Sequence, residues 1–199
     1  MEQVFSPDMP TINPNNELFA HKYPAQFKEL LNNLKKIGTP VNVKKGDIII
    51  DQGKLCNFFF FVESGIYRVF RLFEGNEITY GFTFRGDIDT CPMSFFNQTP
   101  ANDTIESLTD GVIVKVSRSE YETILKENKE LTDVTTYFLN YYLDVVIARL
   151  VSQKALTAEE QYISLLNKQS DEICRIPLKY IASYLGISPA RLSRIRKKI

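Results

Sequence analysis

Residues 178–199 read LKYIASYLGISPARLSRIRKKI. Two short apolar patterns of helical period lie in this stretch: Leu178, Ile181 and Leu185, then Leu192, Ile195 and Ile199, at spacings of three and four. Between them Gly186 can take the left-handed conformation that ends a helix. Ser188 can cap the next one, and Pro189 suits a first helical position because no amide donor is needed there. A short corner containing Gly between two helices is the signature of a helix-turn-helix. Ala182 is small where two helices must cross closely, and Leu192 can fill the angle between them.

The second helix separates by face. With Leu192, Ile195 and Ile199 turned inward, a step of about 100° per residue points Ala190, Ser193, Arg194 and Lys197 outward, flanked by Arg191, Arg196 and Lys198. From Arg175 to Ile199 there are seven Lys or Arg residues and no Asp or Glu, whereas the whole chain balances 24 against 24. The first 174 residues therefore carry a formal −7 and the tail +7. A compact basic helix that offers small and Arg side chains outward suits the major groove of double-stranded DNA. A helical hairpin with a merely solvated basic face would explain the charge, but not the coincident turn chemistry and small crossing residue. The expected DNA-binding residues are Ser188, Pro189, Ala190, Arg191, Ser193, Arg194, Lys197 and Lys198.

Length and composition leave room for a sensor in front of this unit. A chain of 199 residues accommodates one medium and one small domain, and an apolar fraction of 44% with 12% aromatic residues supports a real core. Met1-Glu-Gln opens with an acid and no basic leader, and no apolar run approaches a membrane span, so a cytoplasmic chain without membrane contact is expected. Cys56, Cys91 and Cys174 are odd in number and far apart, and His21 is the only histidine. Three buried thiols are expected, with no disulfide framework, metal site or cofactor. A β-roll can also be a metal enzyme, but that chemistry needs several His and carboxylate ligands on the strands. No catalytic residues emerge, and the chain is not expected to be an enzyme.

In chain order, residues 1–15 are polar and read as a loose arm. From about Asn16 to Lys36 the pattern is helical, with Phe19, Phe27, Leu30, Leu31 and Leu34 on one broad face, stopped by Gly38-Thr-Pro40. Between Val41 and Val116 the period changes. Ile48–Ile50, Phe58–Val62, Ile66–Phe70, Ile78–Phe84 and Val112–Val116 are β-branched or aromatic runs broken by glycines, which predicts a β-sandwich or roll with a hairpin tip at Gly75-Asn76. The run Phe58–Phe61 predicts a strand buried on both faces rather than an aromatic ligand box. Ser117-Arg-Ser-Glu120 and Thr157-Ala-Glu-Glu160 are capping boxes that open helices.

Two segments carry a family resemblance. The run KKGDIIIDQGKLCNFFFFVESGIYRVFRLFEGNEITYGFTFRGDI, with glycines at 46, 53, 65 and 86 and Phe-x-Val-x-x-Gly at 60–65, resembles the cyclic-nucleotide-binding roll of the cyclic-AMP receptor protein/Fnr family of bacterial regulators. LKYIASYLGISPARLSRIRKKI is similar to the same family's helix-turn-helix, and the order of roll, long helix and helix-turn-helix agrees. The resemblance spans about Lys44 to Ile199. It implies an α+β chain: an antiparallel β-roll of the cyclic-nucleotide-binding type, a double-stranded β-helix with flanking helices, then a long dimerisation helix and a helix-turn-helix domain. The expected divisions are residues 1–130, 131–155 and 156–199.

The departures from that family are as informative. Members that bind cyclic AMP hold its phosphate with a Gly-Glu pair and an Arg-Ser or Arg-Thr pair in a short cassette, here DIDTCPMSFFNQTPANDTI. Those positions fall near Thr90-Cys91 and Ala101-Asn102, and no Arg occurs between Arg85 and Arg118. Asp87, Asp89 and Asp103 would oppose an anion there. A cyclic nucleotide is therefore not the expected effector. The expected pocket of Phe82, Thr90, Cys91, Ala101 and Asn102 takes a neutral or cationic small molecule, or nothing.

From about Leu131 to Gln153 a long helix is expected with two apolar rows: Val134, Phe138, Tyr141, Val145 and Ala148, and beside it Leu139, Leu143, Val146 and Leu150. One row can pack on its own roll, and the other is left for a partner. The first is taken as the homodimer seam, with an intramolecular core helix as the alternative. Ala155-Leu156 is the expected hinge, and Gln169–Ile176 a short polar link. Family members often continue into a wing, which is not expected here because Ile199 still lies in the recognition helix. The expected function is homodimeric, sequence-specific transcriptional regulation, with RNA polymerase and an unknown effector as further partners that the resemblance implies. The alternative is a ligand-binding or protein-interaction module with weakened DNA binding.

Overall fold

The computed structural model describes residues 25–127 and 131–199, without the side chains of residues 25–30, 127, 131–135, 137, 138, 141 and 168–170. The N-terminal arm, Phe19 and His21 lie outside the described residues, as do the side chains of Phe27, Leu30, Val134, Phe138 and Tyr141.

The glycine-punctuated middle folds into short antiparallel strands: β1 (Thr39–Val43), β2 (Ile48–Ile50), β3 (Phe58–Ser64), β4 (Tyr67–Phe73), β5 (Asn76–Thr83), β6 (Ile88–Asp89), β7 (Thr104–Ser107) and β8 (Gly111–Ser117). They form two four-stranded sheets, ordered β1-β8-β3-β6 and β2-β7-β4-β5. The helix α1 (Ala25–Ile37) precedes them, and α2 (Pro92–Asn97) and α3 (Arg118–Glu127) flank them.

The phenylalanine run shows why this is a roll. In β3 successive side chains point to opposite faces. Phe60 and Val62 enter the cluster between the sheets, with Tyr67, Ile105 and Ile113. Phe59 and Phe61 enter a second cluster, with Leu31 and Leu34 of α1 and Phe95 of α2. Both faces are covered, so hydrophobic alternation disappears from the sequence. Each such buried side chain contributes about 1.5–3 kcal/mol relative to exposure.

The hairpin tip lies one residue earlier than expected. Glu74 (φ 50°) and Gly75 (φ 79°) are both left-handed, as a two-residue turn matched to strand twist requires, and Asn76 already belongs to β5. Both capping boxes form. Ser117 Oγ accepts from the Glu120 amide at 3.2 Å while Glu120 Oε2 accepts from the Ser117 amide at 2.7 Å. Thr157 and Glu160 repeat the same two distances.

Four helices complete the described chain: α4 (Leu131–Ala155), α5 (Ala158–Arg175), α6 (Leu178–Tyr184) and α7 (Pro189–Arg196). The stretch Gln169–Ile176, expected as a polar link, continues α5 as far as Arg175. Ile173 is its inward anchor, fully buried in the C-terminal core, so the polar residues around it mark only the solvent face. Cys56 and Cys91 are buried as expected, but Cys174, next to Ile173 and turned the other way, is exposed.

The long helix corrects the assignment of its rows. Tyr142 and Val145 pack against the roll's own outer cluster, and Ala148 is half-buried. Leu139, Leu143, Val146, Ile147, Leu150 and Val151 are exposed. The row left open is therefore the second one, broadened by Ile147 and Val151. Equal hydrophobicity of the two rows is why periodicity could not choose between them. No helix of the described residues is long and apolar enough to cross a membrane.

Candidate nucleic-acid interface and effector cavity

The turn between α6 and α7 is built as its residues dictate. Gly186 has φ +65°, the Ile187 amide donates to the Ala182 carbonyl at 3.0 Å, and the Gly186 amide donates to the Ser183 carbonyl at 3.1 Å. This pair of reversed hydrogen bonds closes a helix on a left-handed glycine. Ser188 Oγ accepts from the Arg191 amide at 3.2 Å and starts α7, with Pro189 at its first turn. Ala182 and Leu192 are fully buried at the crossing, beside Ile181 and Ile195.

On the other side of α7, Ser188, Pro189, Ala190, Arg191, Arg194, Lys197 and Lys198 are exposed. Ser193 is half-buried, and so is Arg196, whose guanidinium lies 5.9 Å from the Tyr162 ring centroid. Among the described residues only Lys198 of these cations meets a carboxylate, Glu159 at 3.8 Å, and both side chains are largely in water. An exposed pair at that distance holds little. The arginines of this face are thus not consumed by the fold.

The partner helix α6 lies against the roll. Its Ser183 Oγ accepts from the Thr79 amide at 3.0 Å and donates to the Glu77 carbonyl at 3.3 Å, both on β5. The Tyr184 ring meets Phe82 at 5.4 Å between centroids, and Phe82, Phe84, Ile66 and Leu108 of the roll share one cluster with the helix-turn-helix core. At the centre of this joint is Arg68, 2% exposed. Its guanidinium donates to Glu106 at 2.6 Å and to Glu77 at 2.7 Å, and lies 3.8 Å from the centroids of both Phe70 and Tyr180. Two carboxylates and two aromatic faces satisfy a buried charge almost completely. Sequence reading missed Arg68, because its partners lie on three other elements.

Between the roll and α4 is a cavity of about 270 Å³. Its roll side comes from Val69, Tyr80–Thr83, Ile88 and Asp89, and its helix side from Tyr142, Val146, Arg149, Leu150 and Gln153. Tyr80 is the extra residue of a bulge, since Val69 pairs with Gly81 but Phe70 with Thr79. A bulge re-aims a side chain, and here Tyr80 becomes part of the cavity wall. Asp89 accepts from the Thr83 hydroxyl and from the Thr90 amide, and burial pushes its carboxyl up to about 6. Burial, then the neighbouring Asp89, pushes the Tyr142 phenol up to about 12.

Of the expected pocket residues only Phe82 lines this cavity. Thr90 donates its hydroxyl to the Phe58 carbonyl, Cys91 and Ala101 belong to the core between the sheets, and Asn102 is exposed. The cassette expectation stopped at the strands and gave no weight to the long helix that forms the other wall. Nor are the acids of the cassette free. Asp87 accepts from the Phe84 amide at 2.7 Å, and Arg71, arriving from β4, grips Asp103 at 2.8 and 3.1 Å. This is a bidentate guanidinium, but its carboxylate is internal.

The family model for the Cyclic nucleotide-binding domain matches residues 40–128. No curated protein matches the chain. Among solved structures, FixK2 from Bradyrhizobium japonicum is similar with a TM-score of 0.71 at 16% identity, over 81% of this chain and 84% of that one. A putative cyclic nucleotide binding protein from Ruegeria pomeroyi DSS-3 has a TM-score of 0.68 at 19% identity, over 100% of this chain and 88% of that one. The c-di-GMP responsive global regulator CLP from Xanthomonas campestris has a TM-score of 0.62 at 13% identity, over 86% and 90%. Identities this low establish the fold and no more. The roll is thus a domain of the cyclic nucleotide-binding type, carried by a chain that has the fold of these three proteins.

Proposed function

We propose that the chain is a homodimeric, sequence-specific DNA-binding transcriptional regulator, in which residues 1–130 form the sensor, 131–155 the dimerisation helix and 156–199 the DNA-binding unit. The observation that carries this reading is the α7 surface. Seven exposed residues from Ser188 to Lys198, four of them cationic, stand on a helix braced by buried Leu192 and Ile195, and among the described residues their side chains have no internal partners apart from the Ser188 cap and the loose Lys198 pair. Arg194 is the base-reading residue, and Arg191, Lys197 and Lys198 are phosphate contacts. Ser188 spends its hydroxyl on the helix cap and contributes position. Ala190 selects by its small size.

The open row of α4, with Leu139, Leu143, Val146 and Leu150 at its centre, pairs with its copy across a two-fold axis, because an exposed apolar row of this length is otherwise a liability in water. Two recognition helices then meet half-sites about 34 Å apart. The cavity between roll and α4 is the effector site. The similarity of the fold to a structure named as a global regulator supports the reading. Selection from a pool of random duplex DNA tests it: the expected outcome is enrichment of a near-palindrome with half-sites one helical turn apart. A pool that enriches no sequence overturns it.

A further inference from the structure

Resting on the effector-site reading above, we propose that the cavity between the roll and α4 receives a small organic carboxylate, its acid group held by Arg149 and its apolar body by Val69, Phe82 and Ile88. The cavity is polarised along α4. Tyr142, at one end, is close enough to Asp89 to feel its charge. Arg149 lies seven residues further, about 10 Å along the helix axis, with Gln153 one turn beyond it.

The acidic end is already engaged in internal hydrogen bonds. Both Asp89 oxygens already accept, from Thr83 and Thr90, and Asp103 behind it is held by Arg71. The basic end has no counter-charge among the described residues. One terminal nitrogen of Arg149 donates to the Tyr184 carbonyl at 2.8 Å, and its guanidinium plane stacks 3.4 Å from the Tyr184 ring centroid. Its Nε is buried and has no protein acceptor, and no carboxylate among the described residues pairs with it. Burial lowers the pKa of this guanidinium, as expected for a charge without a counter-ion. Arg68, by contrast, is buried with two carboxylates.

The terminal nitrogens of Arg149 carry further N–H groups beyond the one given to Tyr184, and a carboxylate in the cavity accepts from them. The rest of the wall is mostly aliphatic and aromatic, and its volume lies at the small end for ligand sites, which suits an acid with a short apolar body. Because Arg149 also holds the last turn of α6, a carboxylate seated on it binds at the joint between sensor and DNA-binding unit.

The test uses the full chain with hexanoate, hexanamide and hexylamine as matched probes, read by calorimetric titration and thermal shift. Hexanoate is expected to bind and to raise Tm, hexanamide to bind at least tenfold more weakly, and hexylamine not to bind. Gln153→Glu places a carboxylate one turn from Arg149 and supplies the missing counter-ion from within. It is expected to abolish hexanoate binding while leaving the unliganded Tm unchanged or higher. Binding of hexylamine in preference to hexanoate, undiminished hexanoate binding in Gln153→Glu, or no binding of any probe would overturn the proposal. Operator selection on the unliganded chain is read separately, so a failed effector chemistry and a failed regulator reading give different results.

Discussion

The two helices of the C-terminal pair use the same chemistry to opposite ends. α6 turns Tyr180, Ser183 and Tyr184 to the roll, and the Arg68 guanidinium is held between Tyr180 and Phe70 and paired with two carboxylates. α7 turns only Leu192 and Ile195 inward and leaves Arg191, Arg194 and Lys197 in water. A cation that is buried, stacked and paired belongs to the structure. A cation without a close carboxylate partner is available to a ligand, and a row of them on one braced helix marks a binding face. The contrast predicts that stability and DNA affinity separate cleanly between the two helices.

The strongest test of that separation is Arg68→Ala. It strands the Glu77 and Glu106 carboxylates and opens a gap between Phe70 and Tyr180, so a loss of about 3 kcal/mol is expected in urea unfolding. Amides of α6 should lose hydrogen-exchange protection along with it. A change below about 0.5 kcal/mol would mean that the joint is not a structural contact at all.

Arg194→Ala is the converse. Unfolding free energy should stay within about 0.5 kcal/mol, since Arg194 is exposed and makes no internal contact. Affinity for the selected operator should fall by about 1–3 kcal/mol, with specificity relaxed at one base pair. Equal losses on operator and random duplex would remove its base-reading role and make it another phosphate contact.

What could be read from the sequence, and what could not, follows the same division. The turn between α6 and α7 was legible because its signals are local: Gly186, Ser188, Pro189 and the inward Leu192 and Ile195 act within a few residues of one another. The roll was legible from glycine spacing and β-branched runs. The Arg68 joint was not, since Glu106 lies 38 residues away and Tyr180 is on another unit. The cavity between roll and α4 lies apart from most of the expected pocket residues for a related reason. Its helix wall comes from an amphipathic segment whose two rows are equally apolar, so periodicity could not say that Tyr142 and Arg149 face the roll. The length of α5 was misjudged because one buried residue, Ile173, outweighs five polar neighbours.

Asp89 sharpens the contrast between satisfied and unsatisfied charge inside the cavity itself. Its folded pKa is pushed above the ordinary carboxylate range to about 6, by burial first and by Asp103 in lesser measure, against hydrogen bonds from Thr83 and Thr90 that pull it down. The native state therefore binds this proton more tightly than the unfolded chain. Stability falls as pH rises from about 4 to about 6 and stays reduced above that. Asp89→Asn keeps an acceptor for the Thr90 amide and removes the charge. It should be more stable than the parent by about 1–2 kcal/mol at pH 7.5, with the difference gone near pH 4. A gap of the same size at both values would trace the effect to packing instead of ionisation.

Lys198→Ala has the smallest expected effect and probes the edge of the exposed face. Its ammonium reaches Glu159 only at 3.8 Å with both groups in water, so removing it should leave unfolding free energy unchanged within about 0.5 kcal/mol. As a phosphate contact it releases a counterion from DNA on binding. Its loss should weaken operator and random duplex alike and reduce the slope of log affinity against log salt by about one. That pattern differs in kind from the one expected for Arg194, four residues earlier on the same surface. If Lys198→Ala instead weakened the operator alone and left the salt slope intact, base reading would extend past the last turn of α7, and the face would have to be redrawn around its carboxyl end.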